Sequence, residues 1–245
     1  MACPVRTTSQ PEMSITTPAT PQQSHAWEVA YAPASEAFIK NQSIAYPSFE
    51  FLRQYNGALE MFSGIELENP NVLVVIDWVS LEAHEAYEKT PAYQEYITLL
   101  TPEIAGGATP VHVHFVVSPD GALRAPITEV LWVTPKTDAT QSDVVATLDK
   151  LVAYANNPRT GVIAASYGPV VETPGTYIVV VGWSSFKAYV SECPSGTLHD
   201  LFKALPSFAE HYIRGKSGVS FGDLVGELSK KAEVTDVHSV LTEFN

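Results

Sequence analysis

The chain has 245 residues, a length that fits either one large domain or two domains of ordinary size. Its 27 acidic and 14 basic side chains give a net charge of −13 at pH 7. A surface of this sign repels phosphate backbones and anionic lipids, and no apolar run reaches the roughly 18 residues needed to span a bilayer. We therefore expect neither nucleic acid nor a membrane as a partner.

Two features of the sequence predict a cytoplasmic protein. The first residues lack the basic segment and apolar core of a secretory signal. Cys3 and Cys193 are the only cysteines, so a reducing compartment is expected rather than a disulfide framework. Residues 1–24 are rich in Pro, Thr, Ser and Gln without hydrophobic periodicity, which predicts a disordered N-terminal arm.

Residues 25–118 contain a full set of strand and helix patterns in the order β-α-β-β-α-β. The strands are rich in alternating or β-branched apolar residues, and Ser80 can cap the helix that follows Trp78. The predicted elements are strand 25–32, a helix from residue 35 to about 55 split at Pro47, strand 57–65, a strand ending at Trp78, a helix from 81 to about 101 broken at Pro91, and strand 110–117.

The same pattern returns about one domain later. VLVVIDWVSLEAHEAY at residues 72–87 aligns without a gap with YIVVVGWSSFKAYV at residues 177–190, at an offset of 183 − 78 = 105. Turn residues before this run match at an offset of 104, including Gly64 with Gly168 and Glu68 with Glu172. This agreement indicates an internal duplication.

The second copy is predicted at residues 127–221, after a linker at residues 119–126. Its predicted elements are strand 127–134, a helix from the cap Thr140 to about residue 156, strand 161–167, the strand ending at Trp183, a helix at 186–211 interrupted by Pro194 and Pro206, and strand 213–221. Residues 222–245 are predicted to form a short helix to residue 231 and a loose tail that packs weakly or swaps.

The element order predicts the fold class. With right-handed crossovers, β-α-β-β-α-β gives a four-stranded antiparallel sheet with both helices on one face, the ferredoxin-like sandwich. The other face of each sheet would be bare and apolar, so the two sheets can bury each other. We therefore predict an α+β protein in which tandem ferredoxin-like repeats form an internal pseudo-dimer.

Residues 78–84 (WVSLEAH), followed by Tyr87, resemble the third strand and second helix of dimeric α+β barrel proteins. The resemblance is closest to antibiotic-biosynthesis-monooxygenase-like domains of fungal type, with plant stress-responsive A/B barrels as more distant relatives. It covers residues 25–221 as two fused copies and implies an intramolecular dimeric α+β barrel. The superfamily includes cofactor-free oxygenases, haem-degrading enzymes, isomerases, cyclases, lyases and members without known activity. In many of them the ligand pocket lies between sheet and helices of one copy.

The candidate catalytic residues are His84, Tyr87, Tyr93 and Asp77. His84 follows Ser80 by about one helical turn and can be a general base near neutral pH or a helix-packing histidine bonded to a carbonyl. Residues 87–96 (YEKTPAYQEY) resemble the cyclase pattern Tyr-x-x-His-Pro-Ala-His, but Thr90 and Tyr93 replace its histidines. Tyr93 can donate to a carbonyl or enolate, or it can be a core residue.

Asp77 interrupts an apolar strand, and burial there would raise its pKa; edge solvation is the alternative. His112 and His114 are two residues apart on a predicted strand and so are expected on one face. A metal site there would need a third ligand such as Glu60 or Asp77, and we predict instead a solvent-facing or pocket-lining pair without a metal. Trp27 and Trp78 are predicted to line a pocket for a flat apolar ligand, or to build the cores.

The sequence and the resemblance together predict a cofactor-free enzyme in the first copy. We expect a small aromatic or polyketide-like substrate and either proton-transfer chemistry (cyclase, isomerase or lyase) or monooxygenation. No glycine-rich nucleotide motif is present. The first copy has no histidine between His84 and His112 for a haem late in the second helix, whereas His199 and His211 leave this alternative open for the second copy. The alternatives are a non-catalytic ligand-binding or stress-related barrel and a purely structural pseudo-dimer without an ordered pocket. For the enzyme and for the ligand-binding barrel a small apolar molecule is the expected partner, and further pairing into a homodimer stays open.

Overall fold

The computed structural model describes residues 25–157, 161–193 and 219–244. The first repeat comprises β1 (Ala26–Pro33), α1 (Glu36–Lys40), α2 (Tyr46–Leu52), β2 (Ala58–Ile65), β3 (Asn71–Trp78), α3 (Leu81–Glu88), α4 (Pro91–Leu100) and β4 (Val111–Val113), with short 3-10 turns at Gln42–Ala45 and Thr101–Glu103. After α5 (Asp120–Leu123), the second comprises β5 (Ile127–Pro135), α6 (Gln141–Ala155), β6 (Val162–Pro169), β7 (Tyr177–Trp183), α7 (Phe186–Glu192), α8 (Phe221–Lys231) and β8 (Ala232–Ser239), and β9 (Thr242–Glu243) follows.

The helices begin where local chemistry favours a start. Ser80 and Ser185 each accept a hydrogen bond from the backbone N–H three residues later, which satisfies one of the free donors of a first helical turn. Thr90 caps α4 in the same way, and Pro91 occupies its first turn, where a missing N–H costs nothing. The predicted breaks at Pro47 and Pro91 are therefore confirmed.

Each repeat forms a four-stranded antiparallel sheet. The strand orders are β4-β1-β3-β2 and β8-β5-β7-β6, so the predicted ferredoxin-like sandwiches are confirmed. The helices of each repeat cover one face of its own sheet. The other faces bury each other through a shared apolar layer to which both repeats contribute, including Val29, Phe62 and Val75 from the first and Val130, Val180 and Val237 from the second.

The recurring glycines mark places where one repeat crosses the other. A Cβ on Gly64 would lie 2.4 Å from the Val240 carbonyl oxygen, and one on Gly168 would lie 2.4 Å from the His114 carbonyl oxygen. In both cases the chain that passes over the glycine follows the fourth strand of the opposite repeat. Isolated bridges beside these points, Glu66 with Ser239 and Val113 with Val170, join the two sheets.

The predicted position of the last strand in the second repeat is wrong where the structure describes it. Phe221 is the first residue of α8, which begins with a capping box between Ser220 and Asp223, and the fourth strand is β8, paired with β5. The equivalent histidines His112 and His238 show why: 238 − 112 = 126, so the offset of 105 does not extend past α7. The predicted helix interruptions at Pro194 and Pro206 lie outside the described residues.

Three further expectations need correction. Regular β4 pairing ends at Val113, well before residue 117. The expected linker at residues 119–126 carries α5, whose Ala122 and Leu123 are buried. The chain end packs firmly, because β9 pairs with β2 of the first repeat and Phe244 stacks on Phe49 at a ring separation of 4.2 Å. No helix among the described residues is long and apolar enough to cross a bilayer.

Candidate functional site

A cavity of about 240 Å³ lies between the sheet and helices of the first repeat. Its apolar wall comes from β1, β3, α4 and the segment after it, with Ala30, Val74, Ile97, Leu100 and Ile104 among the lining residues. Its polar groups are fewer and come mainly from Glu28, His84, Tyr93 and Tyr96. A mostly apolar cavity with a few convergent polar groups is the usual form of a small-molecule site.

His84 is held at this cavity by the strand-to-helix junction. The Ser80 cap starts α3 directly after β3. His84 therefore lies one turn along the helix, with its side chain over the sheet. Its ring stacks on Trp78 with centroids 4.3 Å apart. The Trp78 indole N–H in turn donates to Glu28 Oε2 at 2.9 Å. The tryptophan that recurs in both copies therefore positions both polar groups at one end of the cavity.

A chain of hydrogen bonds leads from His84 to the surface. His84 Nδ1 lies 2.7 Å from His112 Nε2, and His112 Nδ1 lies 2.5 Å from Glu172 Oε1. The backbone N–H of His112 also donates to Glu172 Oε2 at 2.8 Å. Glu172 belongs to the second repeat, and its side chain is 40% exposed. The first repeat's cavity is thus connected to solvent through a residue of the second repeat.

The proton positions follow from the electrostatics of this chain. Burial acts to raise the pKa of Glu172, but hydrogen bonds from the His112 backbone and ring outweigh it and lower the pKa, so Glu172 is ionised. His112 Nδ1 then donates to Glu172, and where Nδ1 carries the one ring proton, Nε2 accepts from His84 Nδ1–H. Burial lowers the pKa of His84 to about 4, and the positive charge that a protonated His112 would add acts in the same direction. His84 is neutral at pH 7 with its lone pair on Nε2.

The lone pair on His84 Nε2 faces the carboxyl group of Glu28, whose pKa is also shifted. His84 Nε2 lies 3.6 Å from Glu28 Oε2. Burial raises the pKa of the Glu28 carboxyl despite the hydrogen bond from Trp78. Burial likewise raises the pKa of Tyr93, aided by Glu88 and Glu28. The arrangement provides a neutral imidazole base beside groups that favour their protonated forms.

Tyr87 does not reach the cavity. Its side chain is almost fully buried among Tyr55, Trp78 and Tyr96, and its hydroxyl has no hydrogen-bond partner within the described residues. Burial raises its pKa to about 12. The structure thus places Tyr87 in the core behind His84, and Trp78 beside it as a support rather than as a wall of the cavity.

Asp77, Trp27 and His114 lie elsewhere, in an open groove of about 780 Å³ at the end of the barrel. Asp77 is paired with His25, whose Nδ1 is 2.9 Å from Oδ2. Burial raises the pKa of Asp77 to about 6, against the opposing effect of His25. His114 bonds the His25 carbonyl oxygen. The expectation that His112 and His114 share one face is therefore wrong, because the chain leaves β1 after Val113.

The second repeat holds an equivalent cluster. Trp183 Nε1 donates to Glu129 Oε2 at 2.9 Å, and His238 Nδ1 pairs with Glu68 of the first repeat. Tyr189 replaces His84 and packs edge-on against His238. A cavity of about 270 Å³ adjoins this cluster. Burial disfavours the His238 cation, but the carboxylates of Glu129 and Glu68 outweigh it and raise the pKa to about 10.

Sequence reasoning missed Glu28, Glu172 and Tyr96. Glu28 could have been found from the duplication, because a glutamate recurs at Glu129, 129 − 28 = 101 residues later, and both side chains face the helices of their repeats. Glu172 and Glu68 were recognised only as turn residues. The third possible metal ligand beside His84 and His112 is Glu28 rather than Glu60 or Asp77. One donor atom from each of Glu28, His84 and His112 lies within 4.8 Å of the other two. Glu129, Asp236 and His238 form a similar set.

Comparison with known proteins shows the same architecture in full-length relatives. A candidate monooxygenase of Fusobacterium nucleatum is 10% identical, with a TM-score of 0.60 over 91% of this chain and 95% of that chain. A candidate monooxygenase of Lactobacillus acidophilus is 12% identical, with a TM-score of 0.58 over 90% and 96%. An anthrone oxidase-like protein is 11% identical, with a TM-score of 0.61 over 91% and 94%. The fold is a dimeric α+β barrel made from one chain.

The resemblance noted from the sequence is thus confirmed at the level of the fold. No family model matches the chain, and no curated protein matches it either. Sequence identities near 10% show that the chain shares the dimeric α+β barrel architecture with these proteins, but they do not show that it catalyses the same reaction. The chemistry of this barrel has to be argued from its own cavity.

Proposed function

We propose that this barrel is a cofactor-free oxygenase that deprotonates a small phenol or activated ketone in the cavity of the first repeat and lets the resulting anion react with O2. The observation that carries the proposal is the His84 lone pair at an apolar cavity, held in one tautomer by His112 and Glu172. A base of this kind needs no cofactor when the substrate anion is stabilised by conjugation.

The substrate class follows from the size and lining of the cavity. Its volume of about 240 Å³ is just below the roughly 300–1,000 Å³ typical of ligand sites, which favours a compact molecule of one to three fused rings. The wall is apolar apart from the end near Glu28 and His84. A flat aromatic ketone or phenol would bury its rings against Val74 and Leu100 and present its acidic position to His84 Nε2.

The proposed reaction sequence balances without another reductant. His84 takes a proton from an acidic CH2 group, and the carbanion adds to O2 to give a peroxide anion. His84 returns the proton, and loss of water from the hydroperoxide converts the original CH2 into C=O. One oxygen atom stays on carbon and the other leaves as water. The similarity to a candidate monooxygenase and to an anthrone oxidase-like protein favours this course over isomerisation or cyclisation.

The test separates deprotonation from oxygenation. A panel of phenols and aromatic ketones, anthrone among them, is incubated with the protein under argon in D2O, and exchange at the acidic carbon is followed by NMR. The same panel under 18O2 is analysed by an oxygen electrode and mass spectrometry. We expect exchange, O2 uptake and one labelled atom in the product with the wild type. His84→Gln should lose all three, and the matched second-repeat variant Tyr189→Phe should keep them.

Other outcomes point to different functions. Exchange without O2 uptake would replace oxygenation by simple proton-transfer chemistry of the isomerase, cyclase or lyase kind. A ligand that raises the melting temperature equally in wild type and His84→Gln, with no turnover, would favour the binding barrel. Loss of activity in Asp77→Asn but not in His84→Gln would move the chemistry to the open groove at the end of the barrel.

A further inference from the structure

The cluster that replaces the candidate base in the second repeat has the donor set of a metal site. Glu129, Asp236 and His238 offer one carboxylate oxygen, a second carboxylate oxygen and one imidazole nitrogen, all within 4.8 Å of one another. Glu129 and His238 are almost fully buried. His238 Nε2 has no hydrogen-bond partner among the described residues, although it points toward Glu129 Oε1 at 3.6 Å.

The spacing suits a shared ion better than a direct hydrogen bond. Ligands about 2.0–2.2 Å from a tetrahedral zinc are about 3.4 Å apart, close to the 3.6 Å between His238 Nε2 and Glu129 Oε1. An N–H···O hydrogen bond would instead be about 2.9 Å long. In the first repeat, His112 is the equivalent of His238. Its Nε2 lies only 2.7 Å from His84 Nδ1, so these two nitrogens form a direct hydrogen bond and leave no space for an ion between them.

The groups around the cluster orient its donors. Glu68 pairs with His238 Nδ1, which leaves Nε2 as the ring nitrogen that faces the cluster, the arrangement that metal-binding histidines usually have. Binding of the ion would displace the proton from Nε2. The Trp183 indole N–H holds Glu129 Oε2, which leaves Oε1 for the cluster. The adjoining cavity of about 270 Å³ is lined by both Glu129 and Asp236, so a water molecule has room to complete a tetrahedral set.

We propose that Glu129, Asp236 and His238 bind one divalent transition metal ion of the zinc type. The mixed imidazole and carboxylate donors favour Zn2+ or Co2+ over Mg2+ and Ca2+, which prefer oxygen ligands alone. The site lies between β5 and β8, with Glu68 of the first repeat as its outer partner, so the ion ties the two repeats together. This inference is independent of the reaction proposed for the first repeat.

The experiment measures zinc directly. The full chain is stripped with EDTA, dialysed against zinc chloride and then against metal-free buffer, and its zinc content is measured by mass spectrometry. We expect one ion per chain, a higher melting temperature with zinc, and the intense visible spectrum of tetrahedral cobalt after Co2+ substitution. His238→Gln and Asp236→Asn should lose the ion, and Glu68→Gln should weaken its binding by roughly 10- to 100-fold.

The first repeat supplies the matched control. His112→Gln removes the histidine that corresponds to His238 and should leave the zinc content unchanged. The proposal is overturned if the wild type retains no zinc, if Asp236→Asn binds zinc as tightly as the wild type, or if His112→Gln loses the ion. The cobalt spectrum is read on protein that is folded by circular dichroism, so a failure of His238→Gln to fold still leaves Asp236→Asn as a decisive variant.

Discussion

The two repeats share one scaffold but differ at the positions where chemistry is expected. In both, a glutamate on the first strand accepts a hydrogen bond from the recurring tryptophan, and a histidine on the fourth strand is held by a glutamate of the other repeat. The first repeat adds His84, whose ring forms a hydrogen bond with that histidine. The second has Tyr189 there, and its histidine sits between two carboxylates. A single side chain therefore separates the site proposed for a base from the site proposed for a metal ion.

The ends of the barrel differ for an equally local reason. Asp77 lines an open groove, whereas its equivalent Gly182 has no room for a side chain. A Cβ on Gly182 would lie 2.6 Å from the Ala122 Cα, because α5 packs across that end of the second sheet. The connection between repeats thus closes the second groove and leaves the first one open.

The largest expected effect comes from making the first repeat resemble the second. His84→Tyr installs the Tyr189 side chain and removes the only imidazole that lines the cavity among the residues that the structure describes. We expect turnover of an identified substrate to fall by roughly 100- to 10,000-fold, the usual contribution of a general base, while the substrate still binds. Steady-state kinetics and ligand-induced melting shifts check this. Unchanged turnover would show that the base lies elsewhere.

The next largest effect should distinguish the two inter-repeat His–Glu pairs. Glu68 is 11% exposed and His238 is fully buried, so Glu68→Gln leaves a buried cation short of one partner and should cost about 3–5 kcal/mol of unfolding free energy. Glu172 is 40% exposed, so Glu172→Gln should cost about 1 kcal/mol or less.

Glu172→Gln should nevertheless lower turnover. An amide no longer holds the proton on His112 Nδ1, so His84 is no longer restricted to the tautomer with its lone pair on Nε2. Urea unfolding with EDTA present gives the free energies, and kinetics give the activity. Equal stability losses in the two variants would contradict the difference drawn between the pairs.

A smaller effect should appear at the crossing points, where the repeats are alike. Gly64→Ala and Gly168→Ala both drive a methyl group into a backbone carbonyl of the other repeat, at a cost of roughly 1–3 kcal/mol each. Gly226→Ala in α8 is the control, since a Cβ there meets nothing within 4 Å and should stabilise the helix by roughly 0.5–1 kcal/mol. Thermal or urea unfolding measures the stability of all three variants. If Gly64→Ala does not change the free energy of unfolding, the repeats separate easily at this crossing point.

The scaffold was largely predictable from sequence, and the site only in part. Trp78 with Trp183 and Gly64 with Gly168 recur at nearly constant spacing, and short-range periodicity and capping are enough to order the elements. The contact between His112 and Glu172 depends on how two sheets meet, which no local pattern encodes. The error at residues 213–221 has a similar cause, because the repeat spacing changes from 105 to 126 beyond α7. His84 was found because it lies next to a strong motif.

The smallest predicted effect concerns the pH dependence of stability that His84 gives to the first repeat alone. Its pKa is about 4 in the folded chain and about 6.5 when unfolded, so the unfolded chain binds more protons between these values. Stability from this group is complete above pH 6.5 and is lost as the pH falls toward 4. Allowing for partial solvent screening, we expect a loss of about 1–2 kcal/mol. His84→Gln should lack this component, so the difference in unfolding free energy between wild type and variant should shrink by that amount from pH 7 to pH 4. A constant difference would mean that His84 is not held neutral by the fold, and the base assignment would fail with it.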